Sequence, residues 1–356
     1  MPAGIDTPLE GQAGPESAAG LLGTAEKLRI AGDYPAALWC ARRASATAAK
    51  ASDTTRHADA LRLEALLSAR MQDHDTAVRQ GREALELLRA MGAEGGEVET
   101  LTALASAYCG LGMPQDALDA GMQAVDGATR LGNSRLLCWA TMRVAEALAD
   151  LERFDESMHA FEGALELARA DATVDEPYAT LFNRAVVHTA WARALARGGD
   201  AAAARAETER SLADHRAALG IARRRGSGAK QCMSLATMVS AQLELGDLAG
   251  AQASIGQFHA VARRESVTWL DAHVQRAEAE VLLHRGQTAR AVEQLERTVR
   301  DHPEVADAPS SSLLELLCRG YEALGESEKA RTVRERQRDN EQARAQRRAA
   351  ARATTR

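Results

Sequence analysis

Small and bulky apolar positions recur along this chain in a fixed order, not as one continuous stripe. In "AGDYPAALWCARRA" (residues 31–44) Gly32 is followed five residues later by Ala37. The pairing returns at Gly112/Ala117, Gly199/Ala204, Gly246/Ala251, Gly286/Ala291 and Gly325/Ala330, with Gln72/Ala77 and Glu152/Ser157 as degenerate copies. Successive anchors lie 40, 40, 40, 47, 47, 40 and 39 residues apart. A near-constant period of this length marks stacked supersecondary units.

Each unit carries the pattern of two close-packed helices. Seven residues before the anchors stand Ala25, Ala65, Ala105, Ala145, Ala192, Val239, Ala279 and Cys318, all small or medium-sized. Eleven before, Leu21, Leu61, Leu101, Leu235 and Leu314 supply a bulky contact, and twelve after, Ala44, Ala84, Ala124 and Ala164 continue the small face. The anchor ends the first helix, because glycine accepts the left-handed conformation of a helix terminus. Asp33, Asp200 and Asp247 follow where a side chain can cap the second helix. A lone hairpin of this kind cannot bury its apolar face, so stacked copies form a solenoid. Two intervals are longer. In the first, Pro177 is placed to start a helix. In the second, residues 201–224 read as one long helix expected to protrude.

The phrase A-x6-G-D-Y-P-A-A of the first copy resembles the tetratricopeptide repeat (TPR) family in an extended variant of about 40 residues. The resemblance implies an all-α, right-handed α-solenoid of about eight helix-turn-helix repeats. It covers residues 18–338, after a segment 1–17 expected to be disordered and before a basic tail 339–356, helical or disordered. In that family the first helices line a concave groove. Transferred by distance from the anchor, the groove positions are Arg62, Thr102, Met142, Thr189 and Arg276 (ten before), Ser106, Glu146, Arg193 and Glu280 (six before), and Trp139 (thirteen before). Both signs of charge with a Trp and a Met suit a protein or peptide partner, although the Lys/Asn pattern that clamps a C-terminal carboxylate is missing. Glu146 and Arg193, equivalent in adjacent copies, can also pair with each other. Weaker is a resemblance to the TPR sensory region of bacterial GGDEF-type signalling proteins; no GGDEF motif is present.

Composition narrows the chemistry. Aromatic residues are 3 % of the chain and only 8 residues are proline, so the apolar content is mostly Ala and Leu, good helix formers. From Arg331 onward nine arginines face Glu335, Asp339 and Glu341, a surplus of six; with a net charge of −6, the rest carries −12. An acidic body argues against nucleic acid as its ligand, and a basic tail is the single exception. Five cysteines without C-x-x-C read as reduced thiols. No apolar run of membrane-spanning length and no signal-peptide pattern occurs, so a cytoplasmic protein without a membrane partner is expected. "RRRGSGAK" (residues 223–230) lacks the P-loop pattern and follows a helix, so Gly226 reads as a helix cap. His188 falls at a bulky repeat position and reads as a hydrogen-bonded core histidine, while Trp39 and Cys40 read as packing. No metal cluster, cofactor motif or catalytic constellation emerges. The expectation is a non-catalytic binding scaffold, an adaptor or sensory module in bacterial signalling. The alternatives are the regulatory half of a split signalling enzyme such as a diguanylate cyclase, and a receptor of the peptide-pheromone type.

Overall fold

Every anchor turns the chain through the left-handed region. The computed structural model describes residues 16–170, 177–265, 270–307 and 312–353. Gly32, Gly112, Gly199, Gly246, Gly286 and Gly325 have φ between 66° and 86°. Gln72 (φ 63°) and Glu152 (φ 58°) adopt the same geometry with a side chain attached. At the first anchor, Gly32 N–H donates to the Arg29 carbonyl (3.2 Å) and Asp33 N–H to the Leu28 carbonyl (3.0 Å), the double bond that closes a helix end. Asp33, Asp200 and Asp247 then accept from Ala36 N (3.2 Å), Ala203 N (2.9 Å) and Gly250 N (2.8 Å). Asp53, Asp73 and Asn133 cap in the same way.

Among the described residues these turns join eight antiparallel hairpins. They are α1 (Ala18–Ala31) with α2 (Tyr34–Lys50), α3 (Thr54–Arg70) with α4 (His74–Met91), α5 (Glu94–Gly110) with α6 (Pro114–Arg130), and α7 (Ser134–Asp150) with α8 (Phe154–Ala170). Then come α9 (Pro177–Arg197) with α10 (Ala201–Arg224), α11 (Gly228–Glu244) with α12 (Leu248–Glu265), and α13 (Asp271–His284) with α14 (Thr288–Asp301). After the short α15 (Pro303–Ala306), α16 (Leu313–Ala323) pairs with α17 (Ser327–Ala353). Helices pack on their sequence neighbours, and the fold is an α-solenoid. It falls into two compact units, residues up to Arg143 and from Val144 onward.

The small residues meet where the spacing places them. The residues seven before the anchors are buried, from Ala25, Ala105 and Ala145 at 0 % exposure to Cys318 at 7 %. Across two hairpins this contact is made by hydrogen bonds: Ser157 Oγ donates to the Ala145 carbonyl (2.7 Å), and Cys318 Sγ to the Ala330 carbonyl (3.8 Å). The long helix does not protrude. α9 starts earlier than other first helices and covers the added turns of α10, which is buried along its length from Ala204 to Ala222. Pro177 begins α9 as its position implies.

At the ends, residues 1–15 of the segment expected to be disordered lie outside the described residues, while Ser17 Oγ caps α1 by accepting from Gly20 N (3.1 Å). α17 runs unbroken into the basic tail up to Ala353. Arg336 makes a two-pronged ion pair with Asp307 (both contacts 2.8 Å), and Asn340 adds a third bond to the same carboxylate (2.7 Å).

Two substitutions test this register. Ala105→Phe has no space to occupy, and overpacking costs about 1–3 kcal/mol or more; a marked fall in melting temperature is expected, and an unchanged one contradicts the hairpin contact. Gln72→Gly and Glu152→Gly relieve a left-handed residue worth about 1–2 kcal/mol, offset in part by the freer unfolded chain. Each should raise stability by about 0.5–1 kcal/mol in denaturant unfolding.

Candidate functional site

In the unit up to Arg143, the first helices bring opposite charges together. Arg29 donates to Glu26 through Nε (2.9 Å) and Nη2 (2.6 Å) on α1. Arg62 on α3 pairs with Glu99 on α5 and stands 3.8 Å from Asp59. The Arg29 hydrogen bond holds the Glu26 carboxyl below the usual range, with Arg62 and Arg135 (on α7) adding to the effect. Glu26 of α1 thus feels arginines on both α3 and α7.

A different environment surrounds Arg70, the last residue of α3. Its guanidinium carbon lies 5.9 Å from the ring centroid of Tyr34 and 5.9 Å from that of Trp139, on α2 and α7. It is exposed and, among the described residues, makes no hydrogen bond or ion pair. Both rings lie within the range of a cation–π attraction.

In the unit from Val144 onward, Arg276 Nη1 contacts Glu280 (2.9 Å) and Ser240 Oγ (3.2 Å), and Ser240 Oγ donates to Glu280 (2.7 Å). Burial pushes the Glu244 carboxyl upward, against the pull of Arg193 and a 3.3 Å hydrogen bond from Thr208. Glu146 accepts from Asn183 Nδ2 (2.7 Å). Arg193 is thus near enough to Glu244 for its charge to favour the ionised carboxylate.

Of the ten groove positions, three are closed off by burial or by bonds within their own hairpin. Thr102 is 9 % exposed and donates to the Val98 carbonyl (2.8 Å), Met142 is 3 % exposed, and Thr189 bonds the Ala185 carbonyl (3.1 Å) and Ser211 on α10 (2.9 Å). The reason is angular. A residue ten before the anchor lies about 60° round the helix from the buried residue seven before it, so a short or apolar side chain turns inward. Arg62 and Arg276 at the same position reach the surface because their stems are long. Ser106, Trp139 and Glu146 are half-buried and Arg193 is exposed. Trp39 departs from expectation too. Two residues past buried Ala37, it points to the opposite side of α2, is 56 % exposed and stacks under Arg43 (4.7 Å). Cys40 is buried, and among the described residues no cysteine forms a disulfide. Anchor distances do not single out Arg70, Tyr34 or Glu99, because they carry no information about which repeats approach one another.

The extended hairpin holds a buried polar network. Arg184 of α9 makes two bonds to Asp214 of α10 (2.6 and 2.7 Å), and His188 Nδ1 lies 2.7 Å from Glu207 Oε2. His188 is the hydrogen-bonded core histidine its repeat position implies. Next to Asp214, His215 is 2 % exposed, edge-on to Phe182 (5.3 Å between centroids), and its Nδ1 has no hydrogen-bond partner among the described residues. Gly226 (φ 64°) closes α10, the role read for it in "RRRGSGAK". Among the described residues no three His, Cys, Asp or Glu side chains form a cluster able to hold a metal, and no helix is long and apolar enough to cross a membrane.

No protein-family model matches the chain, and no curated protein does. Solved structures do. A Rap protein complexed with Competence and Sporulation Factor superposes with a TM-score of 0.61 at 15 % identity, over 93 % of this chain and 99 % of that one. The apo form of the quorum sensor NprR from B. thuringiensis gives a TM-score of 0.61 at 12 % identity, over 91 % and 87 %. The Rap conjugation gene regulator of plasmid pLS20, in complex with the Phr* peptide, gives 0.50 at 12 % identity, over 89 % and 98 %. The fold is of the TPR type. At these identities the likeness concerns the fold alone, and it agrees with the eight anchors read from the sequence.

Burial lowers the His215 pKa to about 4 from its ordinary 6.5, against a small opposing pull from Asp214. Between those values the unfolded chain binds a proton that the folded one refuses, so stability is full above pH 6.5 and falls toward pH 4. The loss from this one group is on the order of 3 kcal/mol. Urea unfolding at several pH values should show the decline, and His215→Leu should flatten it; an unaltered slope in the variant would mean that His215 does not carry it.

Proposed function

We propose that this protein is a non-catalytic TPR scaffold that holds a peptide or a segment of a partner protein along its first helices. In this reading it works as a cytoplasmic adaptor or sensory module in bacterial signalling. The observation that carries the reading is the likeness, over nearly the whole length of both chains, to a Rap protein solved with its bound factor. The regulator solved with the Phr* peptide favours a receptor for a short peptide over a purely structural adaptor.

The chemistry of the first helices supports it. The unit up to Arg143 offers Arg62, Ser106 and Trp139, and the unit from Val144 onward Glu146, Arg193, Arg276 and Glu280, all of them reachable or half-buried. An extended peptide offers backbone donors and acceptors at every residue, and such a surface can bond both. Pairs such as Arg276 and Glu280 hold each other in place, so fewer rotamers need freezing when a ligand arrives.

Photo-cross-linking in a bacterial lysate tests the reading. A cross-linker replacing Arg135 or Arg193, both exposed on first helices, should trap a partner. One replacing Asp119 or Arg216, exposed on second helices, should not. Arg193→Gln, which removes the charge without placing a second carboxylate near Glu244, should weaken capture about tenfold with little change in melting temperature. Cross-links confined to the second helices would place the interaction elsewhere and defeat the proposal.

A further inference from the structure

The geometry points to Arg70 as an anion-recognition residue: we infer that it receives the carboxylate of an Asp or Glu side chain within a bound peptide. The inference rests on the peptide-scaffold reading above and adds the chemistry of one subsite. The chain contains 4 Trp and 4 Tyr in 356 residues, yet one of each flanks this single exposed guanidinium, at 5.9 Å apiece. Other arginines on the same set of first helices, Arg29 and Arg62, already have carboxylate partners. Arg70 has none among the described residues. Aromatic neighbours leave its charge uncompensated while limiting the positions that the side chain can take, and its N–H edges remain able to make two parallel bonds to a carboxylate. The Arg29–Glu26 pair on α1 and the Arg62–Glu99 pair between α3 and α5 line the same first helices with charged side chains. A polar surface therefore continues beyond Arg70, which favours a side chain from a peptide passing across it over a chain end stopping there.

The test uses the full chain and a phage library of random peptides of roughly twelve residues, fused through their C-termini so that no free carboxyl end is displayed. Selected peptides should be enriched in Asp or Glu at one position. In synthetic form, with amidated ends, changing that residue to Asn or Gln should raise Kd by about tenfold or more, and added salt should weaken binding. Arg70→Gln should abolish the enrichment, and Arg70→Lys should retain only part of it because the fork is lost. Arg70 is exposed, so both variants should melt with the parent protein. Peptides selected without acidic enrichment, or bound equally by Arg70→Gln, overturn this assignment while leaving the scaffold reading intact. Failure to select any peptide overturns both.

Discussion

The close approach of two helices at a small residue is the contact on which this fold depends. Where Ala105 or Ala145 meets the opposing helix there is no room for a larger side chain, and the interhelical distance is set by backbone and Cβ contact. Ser157 and Cys318 bridge the same contact with a hydrogen bond to the opposite backbone, so the register is held even where the alanine is replaced. The anchors follow from it. Helices this close must be joined by a tight turn, and that turn requires one residue in the left-handed region, which Gln72 and Glu152 supply at a steric cost and glycine supplies without it.

Narrow spacing also decides where large and charged side chains go. Alanines fill much of the hairpin interior, and while Phe161 and Phe258 are buried in it, other aromatic rings stand at the faces of the units. Trp39 stands in solvent beside Arg43, and Tyr34 and Trp139 stand beside Arg70. Long arginines leave the helix surface and meet carboxylates on neighbouring helices, as Arg62 does with Glu99. The first-helix surfaces become firm and mixed in charge, properties suited to recognising another chain and unlike those of an enclosed apolar pocket.

The α9–α10 hairpin breaks the pattern in an informative way. Its added turns are long enough to need a core of their own, and the sequence fills that core with Arg184, Asp214, His188 and Glu207 as well as apolar residues. Paired ions in such a place are worth little as net stabilisation, but losing one partner leaves the other buried without compensation. The network therefore fixes how α9 and α10 align over their added length, where small-residue contacts alone are permissive.

Local chemistry determined much of this protein from the sequence alone. The period, the eight turns, the Asp caps, the start of α9 at Pro177 and the buried small residues all follow from φ preferences, capping and steric size acting over a few residues. Only the tertiary structure decided which side chains are reachable. Thr102 and Met142 share a register position with Arg62, yet the first two are buried, because 60° of helix rotation is decided by side-chain length and not by spacing. The meeting of Arg70 with Trp139, nearly seventy residues on, depends on small rotations accumulated from repeat to repeat. No local pattern encodes that sum, and the reachable cation at Arg70 is visible only in the fold.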